Sequence, residues 1–325
     1  MVTIKDVAKE AGVAVGTVSK VINNIAVKPS TKILVENAIK KLNYEPNIYA
    51  RGLKTSKTNT VALILPTIWH PFFSELAYNI EKNLRKAGMK MILCNSEKDA
   101  QSEIEYISMA KQNKMDGIIA ITYSNIDEYV TNKIPFVSID RYFSNDITYI
   151  SSDNFKGGKL AACKLKEAGC TKLAYIGRGS KIDNATRKRK EGFVSYCIEN
   201  NICYDICESF GVDIEFDILL DTFIKKNFVN NINIDGVFAV TDKYALNFIN
   251  KLKKLNIAVP DDVQVIGFDG SRSSAQDDFY ISTIRQPIES IAEESVKTLI
   301  DIIEKKNVKK EIILPISFVK GKTTK

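Results

Sequence analysis

The stretch TIKDVAKEAGVAVGTVSKVINN, residues 3–24, predicts two short helices that are separated by one glycine. Apolar residues of the first helix follow the i, i+3, i+4, i+7 spacing of a single helix face: Ile4, Val7, Ala8 and Ala11. Thr3 is the expected N-cap of this helix, and Gly12 is the expected turn residue at its end. The second helix has a shorter apolar face and an expected end at two asparagines: Val18, Val21 and Ile22, then Asn23 and Asn24.

A third helix is expected to begin at Pro29 and to complete a small helical core. Its predicted inner face consists of Leu34, Val35, Ala38 and Leu42. Two short helices joined by a tight turn that contains glycine are typical of a helix-turn-helix unit, whose second helix enters the major groove of DNA. The outward residues of the second helix are therefore candidate DNA contacts: Val15, Gly16, Thr17, Ser19 and Lys20. Lys20 can donate to guanine and Val15 can contact a thymine methyl group, whereas Thr17 and Ser19 are expected to bind phosphates.

Positive charge is concentrated in the same segment. The chain has a formal net charge of +7, and residues 1–57 hold ten Lys and Arg against four Asp and Glu. Residues 58–325 hold 36 basic and 35 acidic residues, so they are nearly neutral. A compact basic module on a neutral body indicates a polyanionic partner such as double-stranded DNA. The alternative is a basic surface that only contacts solvent.

Composition and motifs exclude several classes of protein. The chain has 325 residues, 45% of them hydrophobic and 26% charged, and no apolar run of the ~20 residues that cross a bilayer. The first residues, MVTIKDV, do not form an apolar signal segment, so we expect a cytoplasmic protein without a membrane partner. The six cysteines lack CxxC spacing, and there is a single histidine, so we expect reduced thiols, no metal site and no cofactor. Neither a GxSxG motif nor a P-loop is present, which argues against catalytic residues and an enzyme.

Residues 58–325 alternate short apolar runs with helical stretches, which predicts an α/β fold with parallel sheets. The apolar runs are Val61–Leu65, Met91–Leu93, Gly117–Ile121, Phe136–Ile139, Leu173–Ile176, Gly236–Val240 and Val263–Phe268. The length of this part fits two similar lobes around a cleft.

Ligands of such folds bind beyond the carboxyl ends of the parallel strands, so the residues that follow each run are candidate ligand contacts. Those that follow a run are Trp69, Phe72, Phe73, Asp140, Asp242 and Asp269. Two further candidates are Asn154, which follows the short stretch Tyr149–Ser151, and Arg189, which precedes Gly192 and Phe193 at the start of a predicted helix. Aromatic rings can stack on the apolar face of a sugar, and carboxylates and a guanidinium can hold neighbouring hydroxyls. Acids at strand ends also serve as simple helix caps, which is the alternative for each of them. His70 is more simply explained by a surface or packing role.

The stretch at residues 3–24 resembles, nearly residue for residue, the headpiece of the LacI/GalR family of bacterial repressors, and the resemblance continues through the whole chain. Two departures are Ala14, where the family usually has a capping serine, and Lys20, where arginine is common. The resemblance implies an all-α headpiece with a hinge helix at about residues 47–54 and a two-lobed domain similar to periplasmic sugar-binding proteins. It also implies binding to operator DNA as a homodimer, with a tetramer as the alternative.

The hinge segment contains Asn47 as a possible cap and a face with Ala50 and Leu53. By the resemblance, paired hinge helices enter the minor groove and Leu53 wedges between bases. A plain linker between domains is the alternative. The full set of residues expected to bind DNA is Thr3, Ile4, Val15, Gly16, Thr17, Ser19, Lys20, Asn23, Asn47, Ala50, Arg51, Leu53 and Lys54.

The resemblance also places Phe72, Asp140, Asn154, Arg189 and Asp269 at positions that contact the family's small-molecule effector. Asp242 matches the second member of the usual Asn-Asp pair, but Thr241 replaces the asparagine. Segments such as CNSEKD (94–99) and STIRQPI (282–288) look most like the branch that controls sucrose operons.

The sequence thus predicts a DNA-binding headpiece (1–57) and an effector-binding and dimerisation domain (58–325). We expect a transcriptional repressor of a sugar-utilisation operon, controlled by a sugar or sugar phosphate between the lobes. A catabolite-control regulator that responds to a phosphoprotein partner is the alternative within the family.

Overall fold

The structure is a computed structural model. It describes residues 2–23, 25–45, 58–131, 133–143, 146–179, 185–229, 231–272, 274 and 276–325. The chain divides into two compact units, Met1–Thr58 and Asn59–Lys325. The predicted hinge residues Asn47, Ala50, Arg51, Leu53 and Lys54 lie outside the described residues.

The first unit is a three-helix headpiece. Its helices are α1 (Ile4–Glu10), α2 (Val15–Ile22) and α3 (Pro29–Lys41). The Asp6 carboxylate accepts hydrogen bonds from the backbone N–H of Thr3 at 2.8 Å and from its hydroxyl at 2.7 Å, so both residues stabilise the start of α1. Gly12 follows α1 with φ +63°, the left-handed conformation that glycine adopts without strain. The side chains buried between the helices are Val7, Ala8, Ala11, Val18, Val21, Val35 and Ala38.

The prediction that Leu34 belongs to the headpiece core was wrong. Leu34 is 53% exposed, whereas Val35 is completely buried and Ile39 packs against the core. The inner stripe of α3 therefore runs through Val35, Ala38, Ile39 and Leu42, which again follows the spacing i, i+3, i+4, i+7. Leu34 lies one position, about 100°, away from this stripe.

Two six-stranded sheets, one in each lobe, form the second unit. The first sheet has the strand order β11-β5-β4-β3-β1-β2, and all of its pairs are parallel. Its strands are β1 (Thr60–Leu65), β2 (Lys90–Asn95), β3 (Gly117–Ala120), β4 (Phe136–Ile139), β5 (Thr148–Ser152) and β11 (Glu311–Leu314). Helices cover both faces of this sheet, so its central strands are buried on both sides: α4 (Pro71–Lys86) and α10 (Ile288–Ile303) on one face, α5 (Ala100–Gln112) on the other.

The second lobe repeats this arrangement. Its sheet has the order β12-β10-β9-β8-β6-β7, in which only the pair β10–β12 is antiparallel among the described strands. The strands are β6 (Lys172–Arg178), β7 (Cys203–Ser209), β8 (Gly236–Ala239), β9 (Gln264–Asp269), β10 (Ser282–Arg285) and β12 (Ser317–Val319). One face is covered by α6 (Asn154–Glu167) and α7 (Ala185–Glu199), the other by α8 (Asp213–Phe228) and α9 (Asp242–Lys253). The α/β fold expected from the sequence is confirmed.

The chain passes between the lobes three times. It leaves the first lobe after β5, returns after β10 to form α10, and leaves again between β11 and β12. Three neighbouring crossings allow the lobes to change their relative angle while each sheet stays intact. Within the described residues, none of the helices has the length and hydropathy that crossing a bilayer requires.

A pair of glycines brings α6 and α7 into unusually close contact. A Cβ atom at Gly158 would lie 1.9 Å from the carbonyl oxygen of Arg189, and one at Gly192 would lie 1.9 Å from that of Phe155. Because neither glycine has a side chain, the two backbones approach each other closely enough for Arg189 Nε to donate to Asn154 Oδ1 at 2.6 Å. The glycines therefore set the position of a buried arginine.

We expect Gly192→Ala to lower the free energy of unfolding by about 1–3 kcal/mol or more, because the new methyl group meets backbone that cannot rotate away. The control, Lys188→Ala, changes an exposed side chain of the same helix and should stay within about 0.5 kcal/mol of the wild type. Denaturant unfolding of the full chain measures both. Equal unfolding midpoints for the two variants would show that α6 and α7 can move apart without a loss of stability.

The corrected face of α3 gives a second matched pair. Val35→Ala removes buried methyl groups and should lower the stability of the headpiece by on the order of 2 kcal/mol. Leu34→Ala removes a mostly exposed side chain and should change it by less than about 0.5 kcal/mol. Hydrogen exchange of headpiece amides in the full chain reports this local stability. Comparable acceleration of exchange in both variants would contradict the observed packing.

Candidate functional site

A cavity of about 830 Å³ lies between the two lobes. The first lobe contributes residues that follow β1, β2, β3 and β4: Pro66, Thr67, Trp69, His70, Phe72, Phe73, Glu97, Lys98, Tyr123 and Asp140. The second lobe contributes residues that follow β6, β7, β8, β9 and β10 or lie on α7: Arg178, Gly179, Thr186, Arg189, Phe210, Val240, Thr241, Lys243, Tyr244, Asp269 and Gln286. The carboxyl ends of both sheets thus face one cavity, whose volume suits a small molecule.

Aromatic side chains form one wall of this cavity. Phe72 and Phe73 are buried in the first turn of α4, with ring centroids 5.2 Å apart in an edge-on arrangement. Trp69 is 94% exposed at the cavity rim, where its indole is accessible to a ligand. The His70 and Phe73 rings pack together with their centroids 5.5 Å apart. Burial lowers the pKa of the His70 imidazole, and the charge of Asp269 opposes this shift. Among the described residues, its Nδ1 atom has no hydrogen-bond partner.

Two buried carboxyl groups and one buried guanidinium form the polar floor. Asp140 from the first lobe and Asp269 from the second are both 4% exposed, and Arg189 is 2% exposed. Arg189 Nη1 lies 3.4 Å from Asp269 Oδ1 and donates to the carbonyl oxygen of Val240 at 2.8 Å. Its guanidinium carbon lies 3.6 Å from the centre of the Phe268 ring. Burial raises the pKa of both carboxyl groups, and the charge of Arg189 opposes this rise.

The two acids occupy equivalent backbone positions in the two lobes. Asp140 has φ +59° directly after β4, and Asp269 has φ +107° at the end of β9. Non-glycine residues adopt such angles at a cost of about 1–3 kcal/mol, and they do so mostly where the surrounding structure and the function require it. In this backbone conformation both residues line the cavity.

Hydrogen bonds connect this floor to the chain crossings. Gln286, just after β10, donates to Asp269 Oδ1 at 2.8 Å and accepts from the Ser152 hydroxyl at 2.7 Å. Ser151 donates to Asp140 Oδ1 at 2.7 Å and accepts from Asn154 Nδ2 at 3.0 Å. Two of the three crossings are therefore in direct contact with groups that line the cavity.

Six of the eight side chains predicted to contact the ligand line the cavity: Trp69, Phe72, Phe73, Asp140, Arg189 and Asp269. Asn154 and Asp242 do not line it, and each is buried behind the wall. Asn154 accepts from Arg189, and Asp242 accepts from the backbone N–H of Ser271 at 2.6 Å and the Thr283 hydroxyl at 2.7 Å. Burial, followed by the nearby charge of Asp269, raises the pKa of Asp242 to about 8.

Sequence reasoning missed other lining residues. Tyr123 lies three residues after β3, and Phe210 and Gln286 follow strands β7 and β10. The rule that selects residues after strand ends would have found the last two if those strands had been recognised. Among the described residues, no group of three or more His, Cys, Asp and Glu side chains is placed so that it could hold a metal ion.

The predicted DNA contacts on the second helix of the headpiece differ in their exposure to solvent. Gly16 and Lys20 are exposed and Val15 is 37% exposed, whereas Thr17 and Ser19 are partly buried. Ala14 is the N-cap of α2 and provides no side-chain hydrogen bond, as its residue type predicts. The remaining headpiece candidates lie at the ends of the helices: Thr3 is exposed, Ile4 packs partly against the core, and Asn23 donates to the Ser19 carbonyl oxygen at 2.8 Å.

Comparison with known proteins gives the same two parts. Residues 3–47 match the family of bacterial regulatory proteins called lacI, and residues 162–324 match a periplasmic binding protein-like domain. The sucrose operon repressor of Streptococcus mutans serotype c is 35% identical over 324 residues, which cover 98% of each chain.

Solved structures agree with this relationship. The periplasmic binding protein/LacI transcriptional regulator from Alkaliphilus metalliredigens, complexed with D-xylulofuranose, is 32% identical and has a TM-score of 0.72; the match covers 82% of this chain and 99% of that one. The lac repressor dimer bound to operator and the anti-inducer ONPF has a TM-score of 0.84 over 99% of this chain and 98% of its own, and at 21% identity it shows a shared fold. The relationship expected from the headpiece sequence is confirmed: the chain carries a helix-turn-helix DNA-binding domain and a periplasmic-binding-like domain, and it belongs to the lacI family of bacterial regulatory proteins.

Proposed function

We propose that this regulator represses a sugar-utilisation operon and is controlled by a small sugar or sugar phosphate bound between its lobes. The observation that carries the proposal is the cavity floor, where Asp140 and Asp269 face the same space from opposite lobes beside Arg189. Carboxylates and a guanidinium can hold adjacent hydroxyl groups, and the rings of Trp69 and Phe72 can stack on a sugar face. The sugar bound to the 32% identical structure supports this ligand class.

The proposed DNA contacts are the exposed residues of α2, chiefly Val15, Gly16 and Lys20, together with the hinge segment at about residues 47–54. A single headpiece contacts one half-site, so we propose that a homodimer binds a nearly palindromic operator. The apolar side chains exposed along α8 offer a surface for self-association: Ile214, Ile218 and Leu219. The cytoplasm, where DNA and sugar metabolites are both present, is the proposed compartment.

Control follows from differential binding to two lobe arrangements. A ligand changes DNA affinity only if it binds one conformation more tightly than the other. A sugar that contacts Asp140 and Asp269 bridges the lobes, so it favours one lobe angle. We propose that this lobe angle in turn changes the affinity of the protein for operator DNA. A regulator that instead responds to a phosphoprotein partner would show no change of DNA affinity with a small molecule alone.

Lys20→Ala should relax the preference for one base position by about 1–3 kcal/mol, because a side chain that donates to guanine discriminates against the other bases. The control is Lys32→Ala, which removes an exposed lysine from α3. It should leave the ranking of operator variants unchanged, even if a lost phosphate contact weakens all of them. Competition of operator variants at fixed salt measures this ranking. Uniform weakening by both variants would show that Lys20 contacts only phosphate.

Asp269→Asn should leave operator affinity nearly unchanged and lower ligand affinity by about 1.5–3 kcal/mol, which is the contribution of a hydrogen bond to a charged group. Asparagine tolerates the left-handed backbone at this position. Asp277→Asn, an exposed substitution in the same lobe, is the control. Sugars titrated onto labelled operator complexes measure the response. If Asp269→Asn responds at wild-type concentrations, the ligand does not bind to this floor.

A further inference from the structure

Two groups of charged residues line the cavity and differ in their exposure and charge. The floor holds Asp140, Asp269 and Arg189, which are all at most 4% exposed. The second group consists of Lys98 from the first lobe and Arg178 and Lys243 from the second. These three cations are solvent-accessible, and we call this part of the lining the mouth of the cavity. The floor is formally acidic, whereas the mouth is basic.

The cations of the mouth exceed the acids that can neutralise them. Arg178 Nη1 lies 2.6 Å from Asp213 Oδ1, and Lys243 Nζ lies 3.2 Å from Asp213 Oδ2, so these two cations share one carboxylate. Lys98 forms no salt bridge with any residue that the structure describes. The other acid of the mouth is Glu97, whose carboxylate accepts a weak hydrogen bond from Asn95 at 3.5 Å. Three cations therefore face two acids, one of which is already shared.

Repulsion between the cations acts across the gap between the lobes. Partial burial lowers the pKa of Lys98, the charge of Asp213 raises it, and the charges of Arg178 and Lys243 lower it. Lys98 thus experiences the negative charge of Asp213 and the positive charges of Arg178 and Lys243, all from the opposite lobe. The repulsion among the three cations opposes their close approach, and a bound anion between them would offset it.

The chain around Lys98 is held in a fixed and costly conformation. Glu97 has φ +54° and Lys98 has φ +64°, so two consecutive non-glycine residues are left-handed. The Ser124 hydroxyl donates to the Lys98 carbonyl oxygen at 3.3 Å, and the Asp99 N–H donates to the Ser96 carbonyl oxygen at 2.9 Å. These bonds fix the loop that carries Lys98 to the mouth. On the opposite side, Arg178 Nε is buried and has no hydrogen-bond partner in the described chain.

We propose that Lys98, Arg178 and Lys243 form a subsite for the phosphate of the effector, which is therefore a sugar monophosphate. The proposal rests on the function proposed above and makes it more specific. The uncharged hydroxyl end of such a ligand suits the acidic floor, which would repel an anion, and the phosphate suits the mouth. Because the three cations come from both lobes, the phosphate bridges the lobes and adds to the bridging by the sugar ring.

Isothermal titration of the full chain with matched pairs tests this subsite. The pairs are glucose and glucose 6-phosphate, fructose and fructose 6-phosphate, and ribose and ribose 5-phosphate. We expect the phosphate of at least one pair to bind ten-fold or more tightly than its parent sugar, with an advantage that falls as salt rises. Lys98→Met and Lys243→Met should each remove most of that advantage and leave binding of the parent sugar unchanged. Lys133→Met, an exposed substitution in the first lobe away from the cavity, should change neither.

The outcomes separate this inference from the function on which it rests. A parent sugar that binds as tightly as its phosphate would overturn the phosphate subsite and leave the sugar-controlled regulator standing. A phosphate advantage that persists in Lys98→Met and Lys243→Met, while thermal unfolding shows both variants folded, would also overturn it. If none of the six compounds binds, a phosphate subsite for monophosphates of these three sugars is overturned.

Discussion

The cavity between the lobes depends on the buried guanidinium of Arg189. Asp140 and Asp269 come from different sheets, and an unpaired carboxylate in such a buried place costs several kcal/mol. Burial raises the pKa of both groups, and Arg189 is the cation whose charge opposes this rise at each of them. Its own position is fixed by Asn154 and by the ring of Phe268. Without this arginine, two acids facing each other across the lobes would favour protonation or separation, and the polar floor would not persist.

The sequence predicted the parts of the site that follow strongly apolar strands. Asp140 and Asp269 come after strands that are buried on both faces, and such strands are continuous apolar runs. Gln286 was missed because it follows a buried strand that is polar. Ser282 and Thr283 are completely buried in β10, where the Ser282 hydroxyl pairs with Thr324 at 2.7 Å. Hydrogen bonds to a distant segment compensate for this polarity, and hydrophobicity along the chain does not reveal them.

A position just after a strand end does not determine whether a side chain lines the cavity or lies behind its wall. Asp242 is the first residue of α9, and its carboxylate turns back to Ser271 and Thr283 instead of facing the cavity. The direction of the Leu34 side chain was mispredicted in a similar way. Leu34 is exposed, whereas the next residue of the helix, Val35, is buried. Patterns of spacing therefore predicted the fold and the end of the sheets that holds the site. The direction of single side chains depended on neighbours that are distant in sequence.

The triple passage between the lobes has a consequence for the order in which the protein can be built. During synthesis the chain emerges from its N-terminus, so residues 3–45 can form their helices early. The first lobe, however, lacks α10 and β11 until the ribosome has passed Leu314. Until then the apolar face that later receives Ile291 and Leu299 is uncovered. Neither lobe is a contiguous piece of the gene, so a regulator cut short near its end has a complete DNA-binding headpiece attached to two unfinished cores.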